Sequence, residues 1–148
     1  MKALAFNIGA QNFLLDIELV LRITPSGKML FPQNAPGFLL GIAKFRNKVV
    51  PVVAPKEAVR AKTDSTPKLT ACFIILLGPL GPLGIHADAT RGILDIDPEN
   101  LPSKKSGGKK GSVSRNGTDY AWVEVNDLLK AEEWEELKRF LEDLNRPE

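Results

Sequence analysis

The stretch GFLLGIAKFRNKVVPVV, Gly37 to Val53, sets two apolar runs on either side of a basic break. Arg46-Asn47 stands at its centre, bracketed by Lys44 and Lys48. The pattern predicts two strands, residues 38–45 and 48–53, joined by Arg46-Asn47 as a tight turn. Asn tolerates the positive φ that a two-residue hairpin turn requires, although glycine would serve better. Pro51 lies inside the second run and has no N–H to give a ladder, so an edge strand or a bulge is expected there.

Working outward, residues 3–8 and 13–17 are short and apolar. Gly9-Ala10-Gln11-Asn12 separates them, which reads as a hairpin with a four-residue loop. Residues 17–23 have mixed spacing, and both a strand and a helical turn remain open there. Thr24-Pro25-Ser26-Gly27 is a loop, and residues 31–36 form a second turn-rich segment. Pro55 suits the first turn of a short helix over residues 56–62. Residues 70–77, 83–87 and 92–96 read as strands, with the GPLGPLG run at 78–84 as a wide turn. Residues 97–110 form a loop rich in Pro, Ser, Gly and Lys. Residues 111–115 and 120–125 flank Asn116-Gly117, the strongest short hairpin signal in the chain.

Asn126 suits a helix N-cap. Trp134, Leu137, Leu141 and Leu144 follow at three- and four-residue steps, predicting an amphipathic helix that ends before Pro147. No internal repeat occurs at solenoid spacing. The chain is therefore mainly β, with about eight or nine strands and one terminal helix. An antiparallel barrel or a pair of small barrels accommodates that pattern.

The 148 residues make one ordinary domain, and 43% apolar content supplies a core. The longest apolar stretch, near residues 71–77, is far short of the ~20 residues of a spanning helix, so no membrane insertion is expected. Met1-Lys2 leads straight into a strand pattern and not into a signal peptide. Cys72 is the single cysteine and lies in an apolar run, so no disulfide framework is available. A cytoplasmic location is the expectation. A net charge of +2 calls for no anionic partner.

Candidate chemistry is sparse. His86 is the one histidine and reads as a structural or surface residue. No set of nitrogen and sulfur ligands exists for zinc, and neither a metal nor a cofactor is expected. Asp95, Asp97 and Glu99 alternate after a strand and read as a solvated turn. GPLGPLG lacks the lysine and following helix of a phosphate loop. No catalytic residue emerges, and turnover is not expected. Lys104-Lys105, Lys109-Lys110 and Arg115 supply the alternative: an OB-like barrel binding single-stranded nucleic acid through a basic loop. Tyr120, Trp122 and Phe73 would be its stacking platforms. The Glu-rich C-terminal helix would repel phosphate, and nucleic acid is not the expected partner.

Gly41-Ile42-Ala43-Lys44-Phe45-Arg46-Asn47-Lys48-Val49-Val50-Pro51-Val52-Val53 resembles the G-[IV]-x-x-[LF]-R-G-x-[VI]-[VI]-P-V-[IV] signature of the CheW-like chemotaxis coupling domains. Ala35-Pro36-Gly37-Phe38 is similar to that family's entry to the signature. Val20-Leu21-Arg22-Ile23 falls where the family has V-x-E-I, and Gly84-Ile85-His86-Ala87-Asp88 where it has G-[LI]-x-V-D. Residues 123–129 are similar to its closing strand and D-L-L end. The departures are Arg22 for the acid, Asn47 for the glycine, Ala54-Pro55 for D-L and Ala87 where a larger apolar residue is common.

The resemblance covers about residues 3–129. It implies two small five-stranded SH3-like barrels packed side by side, here as a unit over 1–130 with a C-terminal amphipathic helix over 131–148. It also implies a non-catalytic adaptor. The partners would be the cytoplasmic tip of a methyl-accepting chemoreceptor and the regulatory domain of a histidine kinase. Val20 and Ile23 would line an apolar groove between the barrels, with Arg46 and Asn47 at a charged rim and Asp88 on a second matched strand. Arg22 reverses a charge, so the resemblance implies either weakened coupling to an ordinary kinase or a partner of acidic character.

Overall fold

The structure is a computed structural model and describes residues 1–55, 69–100 and 112–144. The helix expected over 56–62 and the lysines of the basic loop lie outside the described residues. The strands are β1 (Lys2–Ile8), β2 (Gln11–Asp16), β3 (Val20–Pro25), β4 (Gly41–Phe45) and β5 (Lys48–Val53). They continue with β6 (Cys72–Gly78), β7 (Gly81–Ala87), β8 (Ala89–Asp95), β9 (Ser112–Arg115) and β10 (Thr118–Trp122). One helix, α1 (Ala131–Leu144), ends the described chain.

The strands form two five-stranded sheets. Sheet A has the order β8-β1-β2-β10-β9, and sheet B the order β3-β6-β7-β5-β4. Both repeat one plan: an outer strand, an antiparallel hairpin, then one parallel neighbour that carries a second hairpin. The plan also exchanges strands between halves. β3 follows β2 in the chain but pairs with β6, while β8 follows β7 but pairs with β1. Neither half of the chain can complete its own sheet alone.

Apolar alternation builds three cores. Ala3, Ala5, Leu14, Ile96, Val113 and Trp122 fill sheet A, and Ala43, Val52, Phe73 and Ile75 fill sheet B. The opposite faces of the same strands meet between the sheets, where Leu4, Phe6, Phe13 and Leu15 pack with Ile74, Leu76, Leu83 and Ile85. Phe6 and Phe13 are paired across β1 and β2 and stack with centroids 5.3 Å apart. Burying each such ring contributes about 1.5–3 kcal/mol relative to exposure. Leu137 of α1 and Val123, Val125, Leu128 and Leu129 before it join this central core. The chain is thus mainly β: two small five-stranded SH3-like barrels side by side, with a C-terminal helix. It is not a single OB-like barrel. Each barrel keeps an open seam, and in sheet A the Arg115 guanidinium crosses it by donating to the Asp95 carbonyl.

Several local readings change. The first hairpin pairs as far as Ile8 with Gln11, so its turn is Gly9-Ala10 and not four residues; Gly9 has φ +58°, which a glycine adopts without strain. GPLGPLG is not a wide turn: β6 and β7 stay paired to Gly78 and Gly81, leaving Pro79-Leu80 as the connection. Residues 17–23 resolve into a 3-10 turn at Ile17–Leu19 followed by β3, the turn being fixed where the Asp16 carboxylate accepts from the Glu18 N–H at 3.0 Å. Asn126 does not cap α1. The helix begins at Ala131, where the Glu133 carboxylate accepts from the Lys130 N–H at 2.8 Å.

Pro51 sits in β5, an inner strand of sheet B and not an edge strand. Its cross-strand partner Ile42 turns both backbone groups to Leu30, so the Ile42–Pro51 pair needs no ladder bond. The parallel ladder to β7 begins one residue later, at Val52. The missing N–H therefore costs sheet B nothing.

Candidate functional site

The candidate site lies on β3 and the β4–β5 turn, the two outer margins of sheet B. Cross-strand pairing sets which way β3 side chains point. Val20 pairs with Leu76 and Ile23 with Ile74, both members of the inter-sheet core, so Val20 and Ile23 share the face turned toward sheet A. Val20 is partly buried against that core, whereas Ile23 is 41% exposed at its rim. A register shift between Val20 and Arg22 leaves Leu21 as an extra residue, 52% exposed. Arg22 pairs with Ile75 and shares the opposite face, that of the sheet B interior.

Arg22 meets the turn across the open seam. Its guanidinium carbon lies 5.6 Å from the Phe45 ring centroid, and that of Arg46 lies 5.3 Å from the same centroid. Phe45 packs partly buried on the sheet B core and presents its remaining surface to both cations. The turn aims Arg46. Arg46 and Asn47 have φ +50° and +63° between the paired Phe45 and Lys48, the primed geometry that follows the strand twist. Arg22, Arg46 and Asn47 thus gather at the sheet B seam, whereas Val20 and Ile23 lie on the other face of the same outer strand, toward sheet A.

Asp88 stands apart in role. It joins β7 to β8, accepts the Gly9 N–H at 2.7 Å on its carboxylate, and donates its own N–H to the Asn7 carbonyl at 2.9 Å. It fastens the strand crossing from sheet B into sheet A to the β1–β2 turn. His86 Nε2 shares a 2.9 Å hydrogen bond with Ser26 Oγ, and its ring tilts against Phe73 at 5.4 Å. Burial pushes the His86 pKa down, with the Asp88 charge acting in the opposite direction. Burial pushes the Cys72 thiol up, away from the thiolate.

Among the described residues no group of three or more His, Cys, Asp or Glu side chains is placed to hold a metal. No described helix is long and apolar enough to cross a membrane. Two members of the site escaped sequence reasoning. Phe45 reads from the sequence as a plain strand residue, although a ring beside Arg46 in a tight turn is a stacking signal. Leu21 was readable in the unbroken Leu19-Val20-Leu21 run, which breaks the two-residue period of a one-sided strand.

The architecture is shared with a known protein. The crystal structure of the scaffolding protein TtCheW from Thermoanaerobacter tengcongensis superposes with a TM-score of 0.70 at 20% identity, covering 88% of this chain and 88% of that one. None of the curated proteins matches in sequence. The CheW-like domain profile matches residues 2–133, spanning both barrels, β3 and the Arg46 turn. The chain therefore belongs to the CheW-like domain family, whose members are non-catalytic adaptors of chemosensory signalling.

Proposed function

We propose that this protein couples the cytoplasmic tip of a methyl-accepting chemoreceptor to the regulatory domain of a chemotaxis-type histidine kinase, in the cytoplasm. One observation carries the reading: β3 is an outer strand whose Val20 and Ile23 rim the inter-sheet core, beside the Arg22–Phe45–Arg46 stack. An apolar rim of this kind accepts one face of an amphipathic receptor helix. The guanidinium groups set orientation and encounter rate more than affinity. Asn47 contributes by holding Arg46 in place. Asp88 contributes by fixing the crossing strand, and its contact with a partner is secondary.

Isothermal titration of the protein with a receptor-tip helical hairpin, and separately with a kinase regulatory domain, tests this. Binding to both is expected, with Ile23→Asp lowering receptor-tip affinity by about tenfold or more, as truncation of an interface anchor does. Absence of heat with both partners, from a protein whose unfolding remains cooperative, would refute the coupling role.

A further inference from the structure

Two exposed cations lie over one ring at the open seam of sheet B, and a third stands across the strand pair from it. Arg22 and Arg46 lie over Phe45, and Lys48, the cross-strand partner of Phe45, shares its face. Among the described residues no carboxylate pairs with any of the three. Leu21 and Ile23 stand exposed on the same outer strand. Arg22 turns to the seam side of β3 and Ile23 to the side facing sheet A, with Leu21 bulged out between them, so cationic and apolar groups flank one exposed outer strand.

Resting on the docking role proposed above, the geometry points to one kind of occupant: an amphipathic helix whose apolar stripe is flanked by Asp or Glu. The stripe covers Val20, Leu21 and Ile23. The acidic flank meets Arg22, Arg46 and Lys48. The stack on Phe45 holds two guanidinium groups in place before binding, so less side-chain freedom is lost when carboxylates arrive. The charge at position 22 makes the choice selective, because a basic flank would meet three like charges. Single-stranded nucleic acid fits less well. The Phe45 ring is already covered by guanidinium groups and is not a free platform for a base. The neighbouring Leu21 and Ile23 offer nothing to phosphates.

The test uses three synthetic helical peptides with one Leu stripe and flanks of Glu, Gln or Lys, together with a short single-stranded DNA. Each is titrated against the full chain by fluorescence anisotropy. The Glu-flanked peptide is expected to bind about tenfold tighter than the Gln-flanked one, in the range of close interfacial charge pairs. Arg22→Glu should invert the order in favour of the Lys-flanked peptide, and Lys48→Glu should shift it the same way independently. Equal binding of the Glu and Gln peptides overturns the acidic partner and leaves the docking role standing. Failure of all three peptides overturns both. Tighter binding of the DNA than of the Glu peptide overturns the inference in favour of nucleic acid.

Discussion

Arg22 on β3 and Arg46 in the β4–β5 turn place their guanidinium groups over one ring, that of Phe45, at 5.6 and 5.3 Å from its centroid. The two residues are far apart in the chain and on opposite margins of sheet B. Their meeting on Phe45 bridges a seam that no backbone ladder closes. Arg115 reaches the Asp95 carbonyl across the corresponding seam of sheet A. An arginine thus spans each barrel's gap.

Phe45→Leu should keep most of the apolar volume and lose both cation contacts. Each exposed contact of this type contributes about 0.5–1 kcal/mol, so a loss of about 1–2 kcal/mol is expected by urea unfolding. Arg22→Gln in the wild-type background should cost about half as much, and in the Phe45→Leu background almost nothing. A full additive loss in the double variant would show that the two side chains do not interact.

Asn47→Val puts a β-branched residue at φ +63°. That conformation costs roughly 1–2 kcal/mol, and chemical denaturation should show a loss of that size. Asn47→Gly should be tolerated without loss. If valine were as stable as glycine there, the turn would not hold Arg46 in the geometry described.

Leu137→Ala should lower stability by about 2–5 kcal/mol, because this side chain is 1% exposed in the central core. Leu144→Ala, at 38% exposed, should change it by less than about 0.5 kcal/mol. Deleting everything after Lys130 should lower the melting temperature by more than Leu137→Ala alone, since Trp134, Phe140 and Leu141 also pack on that core. An unchanged melting temperature would mean that α1 is available to a partner.

His86 gives a pH signature. Its folded pKa lies below the ordinary histidine value because burial disfavours the charged ring. The fold thus binds the proton less well than the unfolded chain does. Stability contributed by neutral His86 is fully present above the unfolded pKa of about 6.5 and declines as pH falls through it, levelling off below the folded value. The stability difference between wild type and His86→Gln should shrink from pH 8 to pH 5. A difference that is flat across that range would refute the assignment.

Asp88→Ala removes the acceptor of the Gly9 N–H. A charged hydrogen bond of this kind contributes about 1.5–3 kcal/mol when shielded and less here, where it is exposed, so a loss of about 1 kcal/mol is expected in thermal unfolding. Receptor-tip affinity should move by less than about twofold, far less than for an interface anchor. A larger drop in affinity than in stability would place Asp88 in the interface itself.

The strands and their faces were legible wherever side chains follow a short-range rule. The Arg46-Asn47 and Asn116-Gly117 turns, the alternating apolar runs and the helical spacing of Trp134, Leu137 and Leu141 all express local sterics or a fixed period. The signature around Arg46 carried the family. GPLGPLG misled because its prolines and glycines favour turns, yet β6 and β7 remain in register through Gly78 and Gly81. Asn126 misled because it has the chemistry of a cap, while the helix began where Glu133 could reach the Lys130 N–H.

The sequence alone determined that this chain is β-rich, that it turns tightly at Arg46-Asn47, and that a helix with one apolar face ends the domain. These follow from interactions between residues close in the chain. Only the tertiary structure decided that β3 leaves its own half to join sheet B, that Pro51 sits harmlessly in an inner strand, and that Arg22 and Arg46 share Phe45. Those outcomes depend on which apolar faces bury one another across long separations, and burial is a non-directional force that no local pattern encodes.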